Sequence, residues 1–226
     1  VYKRQELTDG GKWHELTQAE FWCPTGLLVL HGTELLVADH RRVRKLRLTG
    51  GEPLLRRDVP ELVRLLRREP RLEDIALTTN ALRLDEHADA LFDAGLDRLT
   101  VSLDTLRPDR FREMTRRDQL ERVLTGLAAA DRAGFRGTKL DCVLVRGTND
   151  DELFDLISFA AERDYELRFI EYMDVGGATR FSMDQVVPTR ELLGRMEARL
   201  GSITPLAKSD AAPARRFRLE SGQVIG

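Results

Sequence analysis

The sequence predicts an α/β fold on a parallel sheet, either doubly wound or closed as a barrel. Three observations carry that expectation. From Arg44 onward, strand-like and helix-like stretches alternate five times at roughly 25–35 residues per unit, the spacing of βαβ crossovers. The strand-like stretches end in glycine or small polar residues, and no shared repeat accompanies the rhythm, which excludes a solenoid. With 226 residues, 42% of them hydrophobic and 33% charged, the chain can bury a real core.

Lys45-Leu46-Arg47-Leu48-Thr49 alternates, Leu46 and Leu48 on one face, and predicts a strand. Gly50-Gly51-Glu52-Pro53 stops it, and an amphipathic helix begins at Pro60-Glu61-Leu62-Val63. A second strand over 73–79 ends in Thr78-Thr79-Asn80, followed by a helix over 85–93 closed by Ala94-Gly95. A third strand, Arg98 to Leu103, ends at Asp104. Asp118 with Glu121 has capping-box spacing for a helix running to Ala133-Gly134. The fourth strand, Lys139 to Val145, puts Leu140, Cys142 and Leu144 on one face. Asn149 with Glu152 predicts the cap of a helix carrying Leu153, Leu156, Ile157 and Ala160. A fifth strand, Glu166 to Tyr172, ends in Met173-Asp174-Val175-Gly176-Gly177. Beyond about Arg180 the rhythm weakens to one short helix from Thr189 to Leu200 and two strand-like pieces.

Three segments result: 1–40, 41–180 as the core, and 181–226 as the start of a C-terminal region. Residues 1–40, opening on Val1-Tyr2-Lys3-Arg4-Gln5, fit nothing that follows. A truncated, frame-shifted or adapter-derived N-terminus is expected there, and a cut C-terminus at Val224-Ile225-Gly226.

Composition narrows the function classes. The net charge of −2 gives no global attraction to nucleic acid or anionic membranes. The two cysteines, Cys23 and Cys142, form neither a disulfide framework nor a metal-ligand cluster, which suits a reducing cytoplasm. No apolar run is long enough to span a bilayer. The four histidines are scattered and support no hydrolase triad.

The strand ends Gly50-Gly51-Glu52, Thr78-Thr79-Asn80, Ser102 with Asp104, and Met173-Asp174 converge on the edge where α/β folds bind ligands. Arg47, Lys139 and Arg168 sit within otherwise apolar strands. Structural ion pairs would satisfy them; so would an anionic, phosphate-bearing substrate.

Five segments then carry a resemblance: Arg-Leu-Thr-Gly-Gly-Glu-Pro-Leu-Leu-Arg-Arg-Asp (47–58), Leu-Thr-Thr-Asn (77–80), Val-Ser-Leu-Asp-Thr (101–105), Gly-Thr-Asn-Asp-Asp-Glu (147–152) and Arg-Phe-Ile-Glu-Tyr-Met-Asp-Val-Gly (168–176). From about Arg44 to Val224 the chain resembles the GTP 3',8-cyclases, radical S-adenosylmethionine lyases that open molybdenum cofactor biosynthesis. The resemblance implies an incomplete parallel (β/α)6 TIM-like barrel, truncated at both ends, holding S-adenosylmethionine and a [4Fe-4S] cluster. It implies Gly51, Ser102 and Met173 as cofactor contacts, and Arg47, Thr78 and Lys139 as GTP contacts. It implies conversion of GTP to (8S)-3',8-cyclo-7,8-dihydroguanosine 5'-triphosphate, a homodimer, and cyclic pyranopterin monophosphate synthase as the next enzyme. The departure is in the thiols: the family's Cys-x3-Cys-x2-Cys and its second cysteine set are absent. The chain as written is therefore expected to be inactive, the alternative being a cluster-free protein that binds nucleotide or S-adenosylmethionine without catalysis.

Overall fold

The structure is a computed structural model that describes residues 44–173, 181–207 and 214–226, together with four strands nearer the N-terminus, β1 (Lys3–Leu7), β2 (Trp13–Leu16), β3 (Leu28–His31) and β4 (Glu34–Val37). Cys23, His40 and the stretch 174–180, which includes Asp174-Val175-Gly176-Gly177, lie outside the described residues. The chain divides into two compact units, Val1–Thr100 with Glu121–Phe135, and Val101–Leu120 with Arg136–Gly226.

In the first unit, β2, β1, β4 and β3 pair antiparallel in that order. Strand β3 then runs parallel to β5 (Lys45–Thr49), and β5 parallel to β6 (Asp74–Thr79). The alternation of β5 holds: Leu46 and Leu48 are buried, while Arg47 and Thr49 are half-buried. Each leucine removed from water in this way contributes about 2 kcal/mol before the entropy of ordering is subtracted. Helix α1 (Val59–Leu66) buries Val59, Leu62, Val63 and Leu66, one stripe at helical spacing. Helix α2 (Leu84–Asp93) buries Leu84, Ala88 and Leu91. Phe92, at helical spacing from Ala88, is an exposed large hydrophobic packed edge-on against Phe135, centroids 5.3 Å apart.

Strand β7 (Arg98–Ser102) begins in the first unit, where Arg98 forms an ion pair with Asp74 at the foot of β6. It ends in the second. Helix α3 (Pro108–Thr115) follows, an element the sequence reading lacks. Its buried residue is Phe111, so it shows no apolar stripe; Pro108 at its first turn was the available signal. Arg116, left-handed at φ 59°, terminates it. Helix α4 (Leu120–Ala133) starts within two residues of the expected cap at Asp118.

In the second unit, β8 (Lys139–Leu144) is parallel to β9 (Glu166–Glu171), with Lys139 opposite Glu166 and Asp141 opposite Arg168. Leu140, Cys142 and Leu144 are buried, as their alternation requires. Helix α5 (Leu153–Glu162) buries Leu153, Leu156, Ile157 and Ala160. Helix α6 (Thr189–Leu200) is followed by β10 (Ile203–Pro205), β11 (Phe217–Leu219) and β12 (Val224–Ile225), one strand more than expected. They pair antiparallel in turn, and β12 runs parallel to β9.

The expected cap of α5 by Asn149 and Glu152 is not formed; neither side chain bonds to the helix start. Both are fully buried and are used in tertiary contacts instead. The Asn149 Nδ2 donates to the Asp104 and Val143 carbonyls, at 2.7 and 2.9 Å, and its Oδ1 accepts from the Val145 N–H at 2.7 Å. Glu152 accepts from the Thr105 hydroxyl at 2.6 Å, from the Leu106 N–H at 2.8 Å, and from Arg110. Among the described residues, no helix is long and apolar enough to cross a membrane.

Candidate functional site

In the first unit the candidate site grows from the C-terminal ends of β5 and β6. Gly50 has φ 148°, a conformation that side chains rarely adopt, and it turns the chain out of β5. Gly51 is exposed, and a Cβ built on it would meet nothing within 4 Å. Among the described residues neither backbone nor packing calls for glycine at 51; what it leaves is bare peptide open to a ligand. Glu52 follows, accepting from the Leu54 N–H at 3.0 Å, the Thr79 hydroxyl at 2.6 Å and the Asn80 N–H at 2.7 Å.

Arg47 and Thr78 are brought into direct contact. The Arg47 Nη1 donates to the Thr78 hydroxyl at 2.8 Å and to the Thr100 hydroxyl at 2.9 Å. Two β-branched residues, stiff about χ1, thus hold one guanidinium nitrogen in a fixed direction. Thr100 was missed in the sequence. A hydroxyl inside the apolar run of β7, buried to 2% exposure, was the signal that could have found it.

The other three candidates belong to the second unit, Ser102 on β7, Lys139 on β8 and Met173 in the chain after β9. Ser102 is exposed and is the last residue of β7. Met173 lies two residues beyond β9 and is 58% exposed, unlike the core filler a lone methionine usually is. Lys139 is half-buried and opens β8, so it enters at the N-terminal end of its strand rather than at the C-terminal edge. Arg168, the third strand cation, has a protein partner: it forms an ion pair with Glu166 at 2.7 Å. Residues i and i+2 of a strand share a face, so this pair is local.

Asp104, two residues beyond Ser102, accepts from the Val143 N–H at 2.8 Å. Burial pushes its carboxyl above the ordinary carboxylate range, against the opposing pull of that hydrogen bond. Cys142 is fully buried, its Sγ 3.8 Å from the Asp104 carbonyl. Burial, and then the nearby Asp104, Glu152 and Asp141 carboxylates, push its thiol well above the usual range, so it stays protonated and is a poor thiolate ligand. Among the described residues no group of three or more His, Cys, Asp or Glu side chains could hold a metal ion.

Comparison with known proteins agrees with the resemblance to the GTP 3',8-cyclases. GTP 3',8-cyclase 1 of Mycobacterium tuberculosis (strain CDC 1551 / Oshkosh) is 47% identical over 188 residues, 81% of this chain and 52% of that protein. GTP 3',8-cyclase 3 of Mycobacterium bovis (strain ATCC BAA-935 / AF2122/97) is 48% identical over 219 residues, 93% of this chain and 58% of that protein. The chain thus spans about half the length of these curated relatives. At the level of fold, the structure of TYW1 with a lysine-pyruvate adduct bound matches 80% of this chain and 58% of its own, with TM-score 0.56 at 19% identity. Coproporphyrinogen III oxidase from Escherichia coli, a radical SAM enzyme, matches 70% of this chain and 40% of its own, with TM-score 0.52 at 19% identity. The sequence family described as the radical SAM superfamily matches residues 31–160. That match takes in β5 to β8, the Gly-Gly-Glu-Pro turn and the Arg47–Thr78 contact, and the chain belongs to the radical SAM superfamily.

Proposed function

We propose that this chain carries the nucleotide- and S-adenosylmethionine-binding elements of a GTP 3',8-cyclase. The observation that carries the reading is Arg47, midway along β5 and oriented by the Thr78 and Thr100 hydroxyls of β6 and β7, four residues ahead of the open Gly51 peptide. A guanidinium held in one direction suits a phosphate oxygen, and a bare strand-end peptide suits an amino-acid-like ligand head. Arg47, Thr78 and Lys139 are assigned to GTP, and Gly51, Ser102 and Met173 to S-adenosylmethionine. The chain's part is positioning: Arg47 and Thr78 orient the nucleotide, and the open Gly51 peptide offers the cofactor a backbone contact. A homodimer, and cyclic pyranopterin monophosphate synthase as the next enzyme, belong to the same proposal.

Family membership implies a [4Fe-4S] cluster alongside S-adenosylmethionine. The donors of this chain do not fit it. A cluster of this kind is held by thiolates, the sequence has two cysteines, and Cys142 is buried with its thiol kept protonated. That observation favours binding without turnover by this polypeptide, the second reading offered by the sequence.

Calorimetric titration with GTP tests the proposal. The wild-type chain is expected to bind, Arg47→Ala to weaken binding at least tenfold, and Thr78→Val about fivefold, the worth of one hydrogen bond. A wild-type chain that takes up no GTP, or an Arg47→Ala variant that binds equally well, sinks it.

A further inference from the structure

Glu52 is an acidic residue beside positions assigned to two anionic or zwitterionic ligands, and its carboxylate is used inside the protein. Oε1 takes two donors, the Leu54 N–H at 3.0 Å and the Thr79 hydroxyl at 2.6 Å, and Oε2 takes the Asn80 N–H at 2.7 Å. A carboxylate has about four acceptor sites, so three are occupied. One donor belongs to the turn that follows Gly51, and two to the residues that close β6. Thr79 is 2% exposed and its oxygen also accepts from the Ala81 N–H at 3.0 Å, so the bond is shielded and its direction set.

We infer that Glu52 is a positioning residue: it locks the Gly50-Gly51 turn to the end of β6 and does not itself meet the ligand. The inference rests on the reading above for the identity of the ligands. Its physical basis lies in the turn. Gly50 and Gly51 carry no side chain, and none of the described residues stands within 4 Å of a Cβ at 51, so their packing does not restrain the peptide offered there. Two adjacent glycines are the most costly residues to freeze, and a ligand that must freeze them on binding loses that free energy from its affinity. Charge-assisted bonds from one carboxylate to two backbone N–H groups and a hydroxyl freeze them in advance. The same bonds fix the spacing between Gly51 and Thr78, which stand one residue before Glu52 and Thr79. Glutamine cannot replace the carboxylate, because it offers one acceptor oxygen and turns an NH2 towards a donor.

The test uses the 226-residue chain and its Glu52→Gln, Thr79→Val and Thr79→Ser variants. Two quantities are read: hydrogen exchange of the Leu54 and Asn80 amides without ligand, and the dissociation constant for S-adenosylmethionine. Glu52→Gln and Thr79→Val are expected to speed exchange at both amides at least tenfold and to weaken S-adenosylmethionine five- to tenfold. Thr79→Ser, which keeps the hydroxyl, is expected to match wild type in both. Weakened binding with unchanged exchange means that Glu52 meets the ligand directly, and overturns the inference. Faster exchange with unchanged affinity also overturns it, since the lock then has no bearing on the site. If the wild type binds neither S-adenosylmethionine nor GTP, the nucleotide reading itself has failed. Exchange in the ligand-free variants then decides the lock alone, and unchanged rates reject it.

Discussion

Asp104 shows what a single half-buried carboxyl does to its surroundings. Its hydrogen bond from Val143 ties the chain beyond β7 to β8, and its burial raises its affinity for a proton. A folded-state pKa above the unfolded one means that the neutral form favours folding. Its contribution is whole at pH values below the unfolded carboxylate range and is lost as pH rises through the folded value. Asp104→Asn keeps an oxygen for the Val143 N–H and removes the charge. The variant is expected to be at least as stable as wild type at pH 7, with the difference closing as the pH falls below the carboxylate range. Urea midpoints at pH 4 and pH 8 check this; a variant less stable at pH 8 than at pH 4, relative to wild type, rules out desolvation as the dominant effect. Single residues also mark the limit of reading from sequence. Asn149 and Glu152 have the spacing of a capping box, yet both side chains are drawn into contacts with residues 104–110. Periodicity carries no information about partners forty residues away. Arg168 is the opposite case, because its partner Glu166 is two residues off on the same strand face.

At the scale of elements, the strands and amphipathic helices were legible because each buries one regular face. Strand β8 shows Leu140, Cys142 and Leu144 inward, and α1 shows Val59, Leu62, Val63 and Leu66. Helix α3 was not legible, since Phe111 and Met114 are too few apolar positions in its eight residues to make a stripe. What anchors it is Arg110, which forms ion pairs with Asp151 at 2.7 Å and with the buried Glu152. Glu152 therefore joins α3, the Thr105-Leu106 turn and the start of α5 through one carboxylate. Removing it strands a buried hydroxyl and an amide together and leaves the Arg110 guanidinium to Asp151 alone. Glu152→Ala is expected to cost about 3–5 kcal/mol, and Glu152→Gln less, since one amide oxygen still serves Thr105 or Leu106. Denaturant unfolding checks both; equal losses in the two variants would mean that the carboxylate charge carries the whole effect.

At the scale of the molecule, the superfamily assignment and the donor set of this chain point to different outcomes. The radical SAM match covers residues 31–160, while the thiols of the 226-residue sequence number two. Anaerobic reconstitution with iron and sulfide is expected to leave no stable [4Fe-4S] absorbance on this polypeptide, whereas GTP titration still yields heat. A stable cluster on the purified chain would reject the reading of binding without turnover. The site itself was legible in part. Gly51, Arg47 and Thr78 came from motif and strand pattern, and the structure joins the last two by one hydrogen bond. The contacts of Glu52 and Thr100 came only from tertiary geometry.

The burial of Cys142 has a consequence for kinetics. A thiol with no exposed surface and a raised proton affinity reacts with a maleimide or a disulfide reagent only while β8 is open. In a Cys23→Ser background it is the sole thiol of the 226 residues, so its labelling half-time becomes a clock for opening of the second unit's parallel strands. The clock runs in native buffer without denaturant.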